Sequence, residues 1–189
     1  MRELVYFVAV SLDGFIAAPD GSFDAFSLQG DHLDMIARDY PDTLPAPALQ
    51  AMGLTPDGSR FDTVLMGWNT YAVGLPFGLT SPYPHLRQVV FSRTRTSPDP
   101  SVTVTSESPG MVVARLKRES GSAIWLCGGG QLASALGGVI DRLVLKVNPV
   151  RLGSGIPLFA AGDYRPDPME LVTSTAYASG VVVSEYVRR

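Results

Sequence analysis

Unbroken runs of apolar residues, rich in β-branched and aromatic side chains, recur along the chain and are separated by turn-forming residues. Such runs are typical of strands that are buried on both faces of a sheet. The six strands predicted in this way are Glu3–Val10, Asp62–Met66, Gln88–Phe91, Val102–Val104, Ala123–Cys127 and Arg142–Val147.

Helical spacing of apolar residues appears between several of these strands. Positions i, i+3, i+4 and i+7 are apolar within Asp31–Tyr40, which predicts a short helix with Asp31 as its N-cap. Its buried face would comprise Leu33, Ile36, Ala37 and Tyr40. Ser108 and Pro109 are the expected N-cap and first residue of a second helix, and a third begins at Gln131.

The order of these elements predicts the fold class. Strands that feed into helices favour a mostly parallel sheet with helices on both faces, which is a three-layer α/β/α architecture. Glu170–Tyr177 and Val181–Val187 flank a turn and predict an antiparallel C-terminal hairpin. Pro41–Ser59 is expected to be a long loop. The 189 residues fit a single domain, 1–189.

Composition and charge narrow the possible functions. The net charge of −3 and pI of about 5.3 argue against a broad nucleic-acid or membrane surface. With Cys127 as the single cysteine, and only His32 and His85 as histidines, neither a disulfide nor a metal site is expected. No long apolar segment or leader-like start is visible, so we expect a cytoplasmic protein.

Three strand ends carry residues that suit a phosphorylated ligand. In open α/β sheets, ligands bind beyond the carboxyl ends of the strands. Gly128-Gly129-Gly130 would let backbone N–H groups approach an anion, although a tight strand–helix turn is an equally good interpretation. Gly67-Trp68-Asn69-Thr70 offers further donors or a capped helix start, and Ser92-Arg93 suits a phosphate monoester or is a solvated loop. The three together favour a dinucleotide.

The order and spacing of several motifs resemble the dihydrofolate-reductase-like superfamily. The likeness is to the branch that includes the reductase domain of the bifunctional riboflavin deaminase-reductase, of which this chain would be a stand-alone relative. The motifs that carry the resemblance are Val8–Ala17, Leu65–Tyr71, Val90–Arg93, Leu126–Leu132, Asn148–Val150 and Gly153–Phe159.

This resemblance implies a reductase that binds NADPH in an extended groove. The turns Gly67–Thr70 and Gly128–Leu132 would flank the pyrophosphate, and Ser92 with Arg93 would meet the adenosine 2′-phosphate. Ala9 and the loop Ser11–Ala17 would lie against the nicotinamide. The cofactor-binding residues implied are Ala9, Ile16, Gly67, Trp68, Asn69, Thr70, Ser92, Arg93, Gly128, Gly129, Gly130, Gln131 and Leu132. Hydride transfer needs orientation and a dry site rather than a protein nucleophile.

Three departures from the family pattern bear on cofactor and substrate. Trp68 stands where many relatives have a basic residue, so it would either stack on adenine or pack in the interior. Ala72–Pro76 replaces an Asp-Asn-Pro segment, and Cys127 replaces a carboxylate before the glycines. The substrate is therefore expected to differ from the riboflavin precursor. Cys127 itself is interpreted as an inert, small core residue.

Two acids are candidates for a catalytic role, each with a structural alternative. Asp34 could project inward from the first helix, as a dihydrofolate-type reduction would require, or it could complement the helix dipole. Asp13 could serve beside the nicotinamide or belong to a turn with Gly14. The alternatives to the first function are a dihydrofolate reductase-type enzyme and a non-catalytic dinucleotide-binding module. The apolar run Val181-Val182-Val183 predicts a homodimer.

Overall fold

The computed structural model describes residues 1–189, and the chain forms ten strands. The six runs predicted as strands all form strands, as do both arms of the predicted hairpin. The strands are β1 (Leu4–Val10), β2 (Phe15–Ala17), β3 (Phe61–Gly67), β4 (Arg87–Phe91), β5 (Val102–Thr105), β6 (Ala123–Gly128), β7 (Arg142–Val147), β8 (Ile156–Pro157), β9 (Met169–Ala176) and β10 (Val182–Arg188).

Eight of these strands form one sheet in the order β5-β4-β3-β6-β1-β7-β10-β9. The pairs from β5 to β7 are parallel, whereas β10 pairs antiparallel with both β7 and β9. The predicted parallel sheet with an antiparallel edge is therefore confirmed. β2 and β8, which the sequence did not indicate, form a separate two-stranded antiparallel sheet.

Helices cover both faces of the large sheet and complete a three-layer α/β/α architecture. They are α1 (His32–Asp39), α2 (Ala46–Met52), α3 (Trp68–Ala72), α4 (Pro109–Leu116) and α5 (Gly130–Leu136). One core cluster packs α4 and α5 against one face, through residues such as Leu116 and Leu136. The other packs α1 and the adjoining turn against the opposite face, through Met35, Ile36 and Tyr40. None of the helices has the length and apolarity needed to cross a bilayer.

Two local expectations are corrected by the structure. Of the predicted buried face of α1, Ile36 and Tyr40 are buried and Leu33 and Ala37 are half-buried, but His32 and Met35 are buried as well, so the buried face is wider than predicted. Asp31 precedes the helix, but its carboxylate makes no capping hydrogen bond there. It accepts instead from the backbone N–H groups of Ala178 and Ser179, at 2.8 and 3.0 Å. Asp31 thus ties α1 to the turn of the C-terminal hairpin.

The segment expected to be a long loop, Pro41–Ser59, is more ordered than its prolines suggest. It contains a 3₁₀ turn at Pro41–Thr43 and the seven-residue helix α2. Pro47 lies in the first turn of α2, where its missing N–H costs no hydrogen bond. This segment forms part of one of the two layers that cover the faces of the sheet.

Candidate functional site

A cleft of about 830 Å³ lies at the carboxyl edge of the parallel strands. Its size is within the range of small-molecule and cofactor sites. The strands β1, β3 and β6 supply its floor through Val8, Met66 and Cys127. Loops supply its walls through Phe23, Pro45, Pro82, Tyr83, Gly155 and Pro157. This is the edge at which ligands bind in open α/β sheets.

The glycine segment that follows β6 forms one side of the cleft. Gly128 has a φ of +145°, a backbone conformation that favours glycine, and the peptide bond between Gly128 and Gly129 is cis. A Cβ atom on Gly130 would lie 2.2 Å from the carbonyl oxygen of Pro157, so the end of β8 can approach only a glycine. Gln131 and Leu132 continue this lining into α5, whose first N–H groups have no partner within the helix.

The turn that follows β3 forms the facing side. Gly67, Asn69 and Thr70 line the cleft, and the space beside Gly67 is open. Trp68 does not line it. The Trp68 ring instead packs edge-on against Tyr71, with the ring centroids 5.4 Å apart, and joins the core cluster on that side. This position corresponds to the packing interpretation of Trp68.

Ser92 and Arg93 directly follow β4, whose last residue, Phe91, is the registered partner of Gly67. They therefore continue the same edge of the sheet beyond the cleft, although neither lines the cleft itself. The Ser92 hydroxyl oxygen accepts hydrogen bonds from the backbone N–H groups of Thr94 and Arg95. The Arg93 side chain is exposed and takes part in no ion pair, which leaves its guanidinium free for an anion.

The small sheet of β2 and β8 closes one end of the cleft. Ile16 and Ile156 both line it. A Cβ atom on Gly155 would meet the carbonyl oxygen of Ala17 at 2.2 Å, so the two strands touch backbone to backbone. These short strands had no sequence signal, because two or three residues cannot show a periodicity.

Asp13 lies outside the cleft lining and holds two loops together. Its carboxylate accepts a hydrogen bond from the Ser11 hydroxyl at 2.6 Å. It also accepts from the backbone N–H groups of Leu152 and Gly153, at 3.0 and 2.6 Å. These hydrogen bonds, that from Ser11 foremost, lower the pKa of Asp13 to about 2. The arrangement is that of a turn residue rather than of a proton donor.

Asp34 is exposed on α1 and is likewise absent from the cleft lining. The placement expected for a dihydrofolate-type acid is therefore not observed. Ala9 is also outside the lining, because it points to the face of β1 opposite to Val8. It is half-buried at the carboxyl end of its strand.

Tyr83 and Cys127 are cleft residues for which the sequence analysis assigned no binding role. Burial raises the pKa of the Cys127 thiol to about 11 and raises that of the Tyr83 hydroxyl well above its usual value. Both groups are therefore neutral at physiological pH. Tyr83 also packs edge-on against Trp125, with centroids 4.9 Å apart, which fixes its ring. Only its proline-rich surroundings could have indicated this position.

Comparison with known sequences identifies relatives along nearly the whole chain. The family model described as RibD C-terminal domain matches residues 2–183. The uncharacterized protein YwjB of Bacillus subtilis (strain 168) is 35% identical over 164 residues, which cover 84% of this chain and 83% of YwjB. The uncharacterized protein YyaP of the same organism is 27% identical over 198 residues, covering 98% of this chain and 94% of YyaP.

Solved structures share the fold. One is a protein assigned to riboflavin biosynthesis in Shewanella sp. PV-4, with a TM-score of 0.71, 24% identity and coverage of 100% of this chain and 99% of that one. Another is a diaminohydroxyphosphoribosylaminopyrimidine deaminase/5-amino-6-(5-phosphoribosylamino)uracil reductase from Thermotoga maritima. Its TM-score is 0.67 at 14% identity, over 100% of this chain and 57% of that one. The expected dihydrofolate-reductase-like α/β fold is thereby confirmed.

Proposed function

We propose that this chain, which belongs to the RibD C-terminal domain family, is a reductase that uses NADPH to reduce a small heterocyclic substrate. The observation that carries the proposal is the combination at one sheet edge of a glycine-lined cleft and an unpaired arginine. A glycine-lined cleft suits a pyrophosphate, and an unpaired arginine suits the additional phosphate that distinguishes NADPH from NADH.

The residues present fit such a cofactor. Gly128 and Gly129 have no side chains to fill the cleft, and a Cβ atom on either would lie 3.7 Å from the Thr70 hydroxyl oxygen. The pyrophosphate would therefore lie over the glycines and the Thr70 hydroxyl, which are close together. Arg93, further along the edge, would hold the 2′-phosphate.

The bound cofactor would supply a hydride, and the protein would supply orientation and a dry environment. Val8 and Ile16 offer an apolar surface at the end of the cleft opposite to Arg93, and they would exclude water from the reacting carbon atoms. Cys127 and Tyr83, which are neutral, also line the cleft. The end at Val8 and Ile16 is the place for the substrate ring.

A titration of NADPH and NADH against the protein tests the proposal. We expect NADPH to bind more tightly than NADH, and Arg93→Ala to weaken NADPH about ten- to a hundredfold, the range for a charge-assisted phosphate contact. NADH binding should not change. Arg118→Ala removes an exposed arginine at the other edge of the sheet and is the matched control.

Two outcomes would contradict this function. NADPH could fail to bind, or Arg93→Ala could leave the preference for NADPH intact. Where NADPH binds, a screen of oxidised pteridines, pyrimidines and flavin precursors for NADPH oxidation identifies the substrate. The absence of turnover with any of them would favour a binding module.

We also propose a homodimer. The outermost strand, β9, has an unpaired edge, and seven of its eight residues are exposed. Among them, Leu171 and Val172 are each 54% exposed. An open edge with apolar side chains favours pairing with another copy of the chain.

A further inference from the structure

One lysine near the proposed substrate end of the cleft has no charged partner. Lys146 of β7 is the registered neighbour of Ala9 in β1, so both side chains point to the same face of the sheet. Its Nζ atom lies 3.9 Å from the centroid of the Phe7 ring. It forms no ion pair and donates no hydrogen bond within the protein. The only other lysine, Lys117, is paired with Asp141.

The Lys146 ammonium group is largely buried but still reaches solvent. All buried side-chain nitrogen and oxygen atoms have hydrogen-bond partners. Since Nζ of Lys146 has none, it must retain an opening to solvent-filled space. Burial lowers the pKa of Lys146 from 10.5 to about 8, so the group is still mostly charged at physiological pH. Burying a cation without an anion is costly, and such groups are concentrated at functional sites.

The surroundings of Lys146 connect it to the cleft. Cys127, which lines the cleft, is close enough to Lys146 for each group to influence the pKa of the other. Tyr6 is registered with Leu126, so Phe7 rather than Ala9 is level with Cys127, and the Ala9–Lys146 pair lies nearer the carboxyl edge on the same face. The methyl group of Ala9 is much smaller than the Phe7 ring. On this face β1 is therefore low at Ala9, which has the Lys146 ammonium beside it and lies beyond the level of the neutral Cys127 thiol.

We propose that the Ala9–Lys146 pair forms a substrate subsite, in which the Lys146 ammonium binds a negatively charged oxygen of a planar heterocycle that lies over Ala9. The inference rests on the proposed function for the identity of the substrate end of the cleft. It adds that the substrate is an anion, for example one that carries a carboxylate or an ionised ring amide.

Carbon-13 NMR of lysine-labelled protein tests the subsite directly, because the chain contains only two lysines. Lys117→Arg assigns the Lys146 signal, and Lys117 is the internal reference in the unmodified protein. The probes are orotate and pterin-6-carboxylate, each compared with its uncharged counterpart, uracil or pterin. We expect the carboxylates to shift the Lys146 signal and raise its pKa, and the uncharged rings to have little effect. The Lys117 signal should not move.

Calorimetric titration of variants provides the second measurement. Lys146→Met keeps the aliphatic chain and removes the charge, and it should weaken the carboxylate probes about ten- to a hundredfold without affecting the neutral rings. Ala9→Val keeps the lysine and fills the space over the strand, so it should weaken both kinds of ring. Lys146→Arg, which retains a cation, should preserve most of the discrimination.

The proposal is overturned if neither carboxylate shifts the Lys146 signal, or if the charged and uncharged rings shift it equally. Equal affinity of the carboxylates for Lys146→Met and the unmodified protein would also overturn it. These measurements need no NADPH, so their failure is separable from failure of the reductase function, which the NADPH titration decides.

Discussion

The buried carboxylate of Asp42 holds the backbone that leads into β3. It is fully buried, and its oxygen atoms accept hydrogen bonds from the backbone N–H groups of Gly58, Arg60 and Phe61, at 3.1, 3.1 and 2.9 Å. These groups precede or begin β3. Without the carboxylate the N–H group of buried Phe61 would lack an acceptor, which is among the costly defects in a protein interior, and the other two N–H groups would lose their partner.

Replacing this carboxylate should therefore be strongly destabilising. For Asp42→Asn we expect a loss of about 3 kcal/mol in the free energy of unfolding, because the amide NH₂ cannot accept from the backbone donors. Urea denaturation measures the change. Asp163→Asn, at an exposed position, should leave the midpoint almost unchanged. A loss for Asp42→Asn no larger than for this control would show that the three hydrogen bonds contribute little.

Lys146 should give stability a characteristic dependence on pH. Below pH 8 both the folded and unfolded chains carry the ammonium, so the folded state bears the full cost of desolvation. Between about pH 8 and 10.5 the unfolded chain binds a proton that the folded chain has lost, and this contribution raises stability with pH. Lys146→Met should thus be more stable than the unmodified protein at pH 7, by about 2 kcal/mol.

The difference between the two proteins should shrink as the pH rises toward 10, and thermal unfolding across this range measures it. The titratable groups near Lys146 are Cys127 and, on the adjoining strand β10, Glu185, and they are common to both proteins and largely cancel. Glu185 is held by Arg142. A constant difference across the pH range would mean that the pKa of Lys146 is not lowered.

Single-residue roles were predictable from the sequence only where the partner is local. The pairing of Asp13 with Ser11 belongs to a turn that the Asp-Gly signal indicates. The hydrogen bonds that Asp13 accepts from Leu152 and Gly153 could not be predicted, because those residues are almost 140 positions away. Asp31 was interpreted as a helix cap because caps are local, yet its carboxylate binds a distant turn.

At the scale of elements, the crossing of α5 over the end of β8 decides the shape of the cleft. Gly130 begins α5, and the carbonyl oxygen of Pro157 occupies the position that its side chain would take. Strand and helix positions followed from apolar runs and caps. The crossing of α5 and β8 could not be predicted from the sequence, because β8 has only two residues and shows no periodicity. Its contact partner is also remote in sequence.

Gly130→Ala should consequently move β8 and narrow the cleft. We expect lower thermal stability and weaker NADPH binding, since the methyl group would collide with backbone rather than with a flexible side chain. Gly137→Ala is a matched control, because Gly137 has helical backbone angles and open space around its Cβ position. That variant should be neutral or slightly stabilising. Equal behaviour of the two variants would contradict the steric argument.

For the molecule as a whole, the eight-stranded sheet leaves two outer strands, β5 and β9. The sequence predicted the parallel body and the antiparallel edge. It could not give the order of the strands, because β1 pairs with β6 and β7, and nothing local to β1 identifies either partner. The apolar run Val181-Val182-Val183 was expected to be paired or buried, and to favour a homodimer. The structure pairs β10 on both sides and leaves β9 outermost.

The proposed dimer should therefore depend on β9 rather than on β10. Sedimentation velocity should show a dimer for the unmodified protein and a monomer for the double variant Leu171→Lys with Val172→Lys. Val139→Lys changes an apolar residue that is 40% exposed elsewhere on the surface and should remain dimeric. A monomeric unmodified protein, or a dimeric double variant, would disprove this interface.

The central place of β1 has a consequence for how the protein is made. Leu4 pairs with Ile124 and Val5 pairs with Arg142, so β1 leaves the ribosome long before either neighbour exists. At rates of synthesis of about 5–20 residues per second, the wait lasts on the order of ten seconds. During that time one of the most apolar segments of the nascent chain has no partner strand, and it is the segment that a chaperone would hold.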